Sequence, residues 1–157
     1  MKTLIAYYSR TGITANVAKS LRREFGADLE EVKGTKNYSG SIGWIKSLFD
    51  AIRKNPTEIE PIGKDPSEYD TVIIGTPVWA STMASPILTY ITENKEKFND
   101  LAFFCTCGSN GYEKTFADMK EIVAKDSLET LFLTKHDIGS YESKLESYAN
   151  RIKSKLG

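Results

Sequence analysis

The feature that most constrains the fold of this chain is a repeated alternation between short apolar runs and segments with helical spacing. The apolar runs cover residues 3–8, 29–32, 71–75, 101–107 and 128–133. The clearest of them are apolar on both faces, which is typical of strands covered by helices on two sides. Parallel neighbours need right-handed helical crossovers, so we predict a doubly wound sheet of five parallel strands in a three-layer α/β/α fold.

The segments between these runs place their apolar residues on one helical face. The positions that predict these helices are, in chain order, Ile13, Val17, Ala18, Leu21 and Phe25; Ile42, Ile45, Phe49 and Ile52; Phe116, Met119, Ile122 and Val123; and Tyr141, Leu145, Tyr148, Ala149, Ile152 and Leu156. Gly26 is expected to end the first helix. Another helix is predicted over residues 85–91, with Ser85 as N-cap and Pro86 in the first turn. Residues 56–70 lack periodicity, which predicts a long loop with room for a short edge strand.

Length and charge restrict the classes of function. A chain of 157 residues can bury one ordinary core, so we expect a single domain over residues 1–157. No apolar run approaches the ~20 residues of a membrane span, and the N-terminal run is too short for a signal peptide. We therefore expect no membrane contact and a cytoplasmic location. The formal net charge of 0 removes the electrostatic argument for nucleic acid as a partner.

The cysteines and the histidine offer little for a metal or a disulfide. Cys105 and Cys107 stand two residues apart on a predicted strand, where they are poorly placed to bond to each other. Together with His136, the only histidine, they fall short of the four ligands of a structural zinc site, so no metal is expected. Cys107 has two interpretations, a redox-active thiol beside a ligand or a small apolar packing residue.

Ligands of doubly wound sheets bind at the carboxyl ends of the strands, which directs attention to three loops. The first loop, residues 9–14, joins hydroxyl side chains and a glycine directly before a predicted helix. Free amides at a helix start bind anions, so this loop suits a phosphate, although the same residue types are also common helix caps. The second loop, residues 76–82, places Trp79 after a buried strand, where it can stack on a planar ligand or cap the core. The third, residues 107–112, combines two glycines with Tyr112 and suits close approach to a flat ring.

In order and spacing, these three loops resemble the flavodoxin family across nearly the whole chain. The most specific segments are Ser-Arg-Thr-Gly-Ile-Thr at residues 9–14 and Gly-Thr-Pro-Val-Trp at residues 75–79. The resemblance implies a bound flavin mononucleotide (FMN). By that resemblance the phosphate would be held by Ser9, Arg10, Thr11, Gly12, Ile13 and Thr14. One side of the ring would lie beside Thr76, Pro77, Val78 and Trp79, and the other beside Cys107, Gly108, Ser109, Gly111 and Tyr112. The direct passage from the fifth strand to the last helix resembles the short-chain type.

Three functions remain open on this interpretation. The first is an electron carrier that exchanges electrons with redox partner proteins or a small-molecule acceptor. The second is an NAD(P)H-dependent reductase of quinones or similar acceptors, and the third is a non-catalytic interaction module that has lost its cofactor. Carriers of this family are typically acidic, and this chain is neutral. Small size and the absence of a nicotinamide motif nevertheless favour the carrier.

Other functions of similar sheets lack their motifs in this sequence. Phosphoryl-accepting receivers need carboxylates at the strand ends, and the first and third strands run into Tyr-Ser and Thr-Pro instead. Nucleoside triphosphatases need a glycine-rich loop that closes on Gly-Lys-Ser/Thr, and dinucleotide enzymes need Gly-x-Gly-x-x-Gly. Neither pattern follows the first strand.

Overall fold

The structure is a computed structural model that describes residues 1–35 and 57–157. The sheet contains five parallel strands, β1 (Thr3–Tyr7), β2 (Asp28–Glu31), β3 (Thr71–Trp79), β5 (Asp100–Cys107) and β6 (Thr130–Thr134), with a two-residue β4 (Thr82–Met83) antiparallel to β3. The order of the parallel strands is β2-β1-β3-β5-β6, which confirms the predicted doubly wound α/β fold. The chain reverses its direction of strand addition at β1, so β1 and β3 flank a topological switch point.

Four helices cover the sheet in the described residues. They are α1 (Ile13–Phe25), α2 (Ser85–Asn94), α3 (Tyr112–Val123) and α4 (Glu142–Leu156), with 3₁₀ turns at Pro66–Glu68 and Lys95–Lys97. The helix predicted from Ile42, Ile45, Phe49 and Ile52 lies outside the described residues. As predicted, α1 ends at Gly26, which adopts a left-handed conformation with φ 60°.

Alternate residues of the strands supply two separate cores. In β1, Leu4 and Ala6 point into one buried cluster, and Ile5 and Tyr7 point into the other. The first cluster is completed by residues of α2 and α3, and the second by residues of α1 and α4. All five residues of β1 are buried, which explains why the predicted strand reads as a continuous apolar run.

One local prediction differs from the structure. Ser85 was expected as the N-cap of α2 but is its first helical residue, so the prediction is wrong. Ala84 is the N-cap, and its backbone N–H donates to Thr76 Oγ1 at 2.9 Å. The start of α2 is therefore fixed by a hydrogen bond to a side chain of β3 and not by the Ser85 hydroxyl. The predicted loop over 56–70 has one isolated antiparallel bridge, between Gly34 and Ile59, and no longer edge strand within its described part.

Gly75 leaves room for an aromatic ring of the neighbouring strand. A Cβ added to Gly75 would lie 2.0 Å from Cζ of Phe104, a fully buried ring on the neighbouring strand β5. The ring therefore occupies the space that any larger residue at position 75 would need. This contact lies just before β3 and β5 reach the second and third loops.

We predict that Gly75→Ala destabilises the protein by at least ~2 kcal/mol, because the added methyl group overpacks a buried strand pair. Urea unfolding followed by circular dichroism measures this change as a lower midpoint. Gly63→Ala is the matched control, because the nearest side-chain atom to its added Cβ would be Glu30 Oε2 at 3.6 Å, an ordinary contact. Equal unfolding free energies for the two variants would contradict the packing role assigned to Gly75.

Candidate functional site

A cavity of about 310 Å³ opens at the carboxyl edge of the sheet, where the three predicted loops meet. This volume lies near the lower end of the range for small-molecule sites, roughly 300–1,000 Å³. The residues that line it are Arg10, Thr11, Ile13, Thr14, Pro77, Val78, Trp79, Thr106, Cys107, Gly108, Lys135 and Ile138. The cavity therefore draws on the ends of β1, β3, β5 and β6.

Most of the residues predicted for the site lie in the wall of this cavity. These are Arg10, Thr11, Ile13, Thr14, Pro77, Val78, Trp79, Cys107 and Gly108. The other predicted residues belong to the same three loops but are not part of the cavity wall, namely Ser9, Gly12, Thr76, Ser109, Gly111 and Tyr112. Their contact with a ligand stays a prediction.

The first loop leaves the start of α1 without a side-chain cap. Gly12 is the N-cap residue, with φ 97°, a conformation that glycine adopts without strain. Ser9 Oγ accepts the Gly12 backbone N–H at 3.1 Å, so the Ser9 side chain shapes the loop. The first backbone N–H groups of a helix have no intrahelical partner, and here no side chain caps them. The amides at the start of α1 therefore form a polar, anion-attracting end of the cavity.

A buried pair of hydroxyl groups joins the first loop to the end of β5. Thr14 Oγ1 and Thr106 Oγ1 are 2.8 Å apart, and both residues are buried. The pair has two protons and uses one between its oxygens, so one O–H is left to donate to a third group. Thr106 was not predicted for the site. The sequence does place it between two cysteines at the end of a predicted strand, which is the only signal that could have indicated it.

The second loop is a tight hairpin instead of an open loop. β3 continues past Gly75 to Trp79, and the turn to β4 consists of Ala80 and Ser81, which have φ 47° and φ 62°. Positive φ at both turn residues is the geometry that matches hairpin twist, and it usually selects Asn-Gly. Thr82 Oγ1 donates to the buried Asp118 Oδ2 on α3 at 2.7 Å, which ties the strained turn to the helix.

Trp79 lies at the boundary between the cavity and the core. Its side chain is only 2% exposed, and it packs edge-to-face against Tyr8 with ring centroids 5.3 Å apart. Burial raises the pKa of Tyr8 to about 12. Both interpretations of the tryptophan are therefore partly reflected in the structure, because it belongs to the core cluster and also lines the cavity.

The third loop packs directly against the second. Gly111 has φ 89°, and a Cβ added there would lie 2.9 Å from Val78 Cγ1 and 3.1 Å from Ser81 Cα. Only glycine permits this approach between the two loops. The Tyr112 ring stacks on Phe132 of β6 with centroids 3.8 Å apart and an angle of 3° between the planes. The Tyr112 ring thus already has one aromatic partner in the sheet.

Cys107 lies in the cavity wall, and Cys105 lies fully buried behind it. A hydrogen bond from Cys105 holds the pKa of Cys107 below its ordinary value, although burial and the charge of Asp137 oppose this shift. The same hydrogen bond, together with burial, raises the pKa of Cys105 well above its ordinary value. Cys107 is therefore the more acidic of the two thiols and the one nearer to a ligand.

Lys135 and Ile138 enter the wall from the turn between β6 and α4, which the sequence prediction did not include. The Lys135 backbone N–H donates to the Gly108 carbonyl oxygen at 3.2 Å, so this turn is attached to the third loop. Asp137 shapes the turn by accepting the Thr134 backbone N–H at 2.8 Å. The turn carries no recognised motif, but the carboxyl end of β6 lies at the same edge as the other strand ends.

The family model described as Flavodoxin matches residues 2–148. The chain belongs to the flavodoxin family. Among curated proteins, none matches this flavodoxin in sequence. Within residues 1–35 and 57–157, no group of three or more His, Cys, Asp or Glu side chains could hold a metal ion. No helix in this described part is long and apolar enough to cross a membrane.

Solved structures similar to this flavodoxin include a flavoprotein from Lactobacillus acidophilus NCFM in complex with FMN. It is 25% identical, with a TM-score of 0.76, and the match covers 94% of this chain and 98% of that one. A protein from Bacteroides eggerthii DSM 20697, whose assignment as a flavoprotein is provisional, is 24% identical with a TM-score of 0.80, covering 97% and 98% of the two chains. Flavodoxin 1 from Bacillus cereus is 12% identical with a TM-score of 0.63, covering 100% of both. The last two likenesses show the fold alone.

The hydroxyl pair leads to a prediction for the ligand-free flavodoxin. We expect Thr14→Val and Thr106→Val each to cost about 1–3 kcal/mol, because each leaves its buried partner without a hydrogen bond. The double variant should lose at least ~1 kcal/mol less than the sum, since both unpaired groups are then gone. Urea unfolding of the four proteins measures this coupling. Simple additivity of the two losses would show that the hydroxyls do not interact.

The cysteine pair leads to a second prediction. In the ligand-free protein, Cys107 should react with iodoacetamide, and its rate should reach half of the maximum at a lower pH than that of an ordinary exposed thiol, whereas Cys105 stays unmodified. Cys105→Ala should move the Cys107 profile to higher pH, because the hydrogen bond that favours the thiolate is removed. Mass spectrometry of the two peptides gives the rates. An unchanged Cys107 profile in Cys105→Ala would exclude Cys105 as the cause.

Proposed function

We propose that this flavodoxin binds FMN non-covalently in the cavity and transfers electrons through it, to redox partner proteins or to a small-molecule acceptor. FMN as the cofactor expected from the sequence is confirmed by membership of the flavodoxin family, and it agrees with the FMN complex of the L. acidophilus relative. The observation that carries the proposal is that one cavity has both the uncapped start of α1 and an apolar wall.

The residues of the cavity fit the two chemically different halves of FMN. At the β1 end, the uncapped amides of α1 and the Thr11 hydroxyl suit a phosphate. Nothing lies within 4 Å of a Cβ added to Gly12 or to Gly108, so the backbone is open to a ligand at both loops. At the other end, Pro77, Val78 and Ile138 provide apolar surface for a flat ring.

When bound, FMN would supply the ability to take up and release one or two electrons. The chain's own contribution is to hold the phosphate at α1, to orient the ring between the second and third loops, and to exclude water from its buried side. Trp79 and the Thr14–Thr106 pair form part of that buried side.

The rim of the cavity supports electron exchange with an external partner. Ile13 and Ile138 are each 44% exposed, and both line the cavity. Exposed apolar residues beside a cofactor site suit transient contact with another molecule. We therefore propose a carrier role in which the partner meets the flavin at this rim. The cytoplasmic location and the single-domain organisation predicted from the sequence remain predictions.

We predict that the purified protein retains FMN after desalting and binds riboflavin at least ~100-fold more weakly, because riboflavin lacks the phosphate and each hydrogen bond to a charged group contributes ~1.5–3 kcal/mol. Flavin fluorescence titration gives both dissociation constants. Anaerobic addition of dithionite should reduce the bound flavin, whereas NADPH should not. Rapid oxidation of NADPH would favour the reductase, and failure to retain any flavin would leave the interaction module.

Two threonine variants test whether the phosphate binds at the first loop. Thr11→Val should weaken FMN binding by roughly 10- to 100-fold and leave riboflavin binding unchanged, because only the phosphate contact is lost. Thr92→Val is the matched control, since Thr92 lies near the end of α2 with its hydroxyl bonded to the Leu88 carbonyl oxygen. Equal loss of FMN and riboflavin in Thr11→Val would contradict phosphate binding at this loop.

A further inference from the structure

The charged groups around the cavity are unevenly distributed, although the chain as a whole is neutral. Arg10 and Lys135 line the cavity, and no carboxylate belongs to its described wall. The carboxylate on the same turn as Lys135 is Asp137, which faces the Lys144 ammonium group at 2.7 Å and two hydrogen-bond donors of Thr134. The charged side chains of the described wall are therefore basic, and the nearby Asp137, whose charge acts on Cys107, is bonded to Lys144.

Lys135 lies far from the end of the cavity that suits a phosphate. It follows β6, and three steps between neighbouring strands separate β6 from β1, where α1 begins. At ~4.8 Å per step, the two strands are ~14 Å apart. The Lys135 backbone N–H is bonded to Gly108 of the third loop, which places the residue beside the apolar end of the cavity. Arg10 belongs to the first loop, at the opposite end.

We propose that the Lys135 ammonium group raises the affinity of the site for reduced flavin over oxidised flavin, and so makes the bound cofactor a stronger electron acceptor. This inference rests on the proposed function, since it requires FMN in the cavity with its ring towards β6. It assigns a role to a residue outside the three loops that carry the family resemblance.

The physical reason is the charge that accompanies reduction. Uptake of two electrons from a reductant and one proton from solvent adds one negative charge to the flavin ring. A cation near the ring favours that extra charge, and the effect is stronger where the wall of a site excludes water. Lys135 makes no ion pair within the described residues, so its charge is not offset by a bonded carboxylate.

The test compares Lys135→Gln and Lys135→Glu with Lys95→Gln as the matched control. Lys95 is an exposed lysine before β5, at the opposite edge of the sheet and roughly 26 Å from the end of that strand. Two quantities are measured for each FMN-loaded protein: the dissociation constant of oxidised FMN and the midpoint potential in an anaerobic titration against a reference dye. The ratio of affinities for reduced and oxidised FMN follows from the two.

We expect Lys135→Gln to bind oxidised FMN within about twofold of the unchanged protein. Its reduced-to-oxidised affinity ratio should fall by roughly 3- to 10-fold, which is a potential lower by about 15–30 mV for two electrons. The ratio should fall further in Lys135→Glu, because the charge is then reversed. Lys135→Arg, which keeps the positive charge, and Lys95→Gln should both keep the ratio of the unchanged protein. The shift should shrink as ionic strength rises, because Lys135 is exposed.

Two results would overturn the inference while leaving the proposed function intact. One is an unchanged potential in Lys135→Glu with FMN still bound. The other is equal weakening of oxidised and reduced FMN, accompanied by unchanged riboflavin binding, which would assign Lys135 to the phosphate instead. Loss of FMN binding by the unchanged protein would instead remove the proposed function, and the inference with it.

Discussion

The arrangement of the site depends on the pairing of β3 with β1 on one side and with β5 on the other. The parallel register continues from Thr71 to Pro77 along β5, two residues past the point where β1 stops. Because β3 keeps pairing with β5, the second and third loops leave the sheet at the same level, and the first loop leaves it earlier. Gly75 is critical to the arrangement because the Phe104 ring occupies the space that a side chain at position 75 would need, just before the two strands reach the loops.

Many of the polar residues that suggest ligand binding in the sequence have a structural partner in the folded chain. The Ser9 hydroxyl accepts a backbone N–H of its own loop. The Thr76 hydroxyl accepts the Ala84 N–H and donates to the Pro77 carbonyl oxygen, so both of its functions are used. What these hydroxyls leave unpaired is backbone, chiefly the amides at the start of α1. A loop of this kind recognises an anion mainly through main-chain groups, and its side chains keep those groups aimed at the ligand.

The sequence was sufficient to predict the five parallel strands and the edge of the sheet at which the cavity lies, because buried parallel strands read as continuous apolar runs and their carboxyl ends share one edge. Two parts were beyond its reach for physical reasons. The turn at Ala80 and Ser81 has positive φ although neither residue is Gly or Asn, so the residue types do not predict a hairpin. Tertiary contacts such as the hydrogen bond from Thr82 to Asp118 stabilise it instead. Lys135 joins the site through a backbone bond to Gly108, an interaction that depends on strand order and not on any side-chain pattern.

Net charge is a poor guide to the electrostatics of such a site. Equal numbers of basic and acidic residues make the chain neutral, which weakens long-range attraction of a charged partner. At the cavity, however, the field is set by the few groups within about a Debye length, ~8–10 Å, and by whether each is already paired. Asp137 is paired with Lys144, whereas Lys135, which lines the wall, makes no ion pair within the described residues, so a neutral protein has a basic side chain at its cavity. The neutral chain therefore argues against strong steering of a partner but says nothing against an electron-carrying role, because the ease of reduction is decided by the groups that face the flavin.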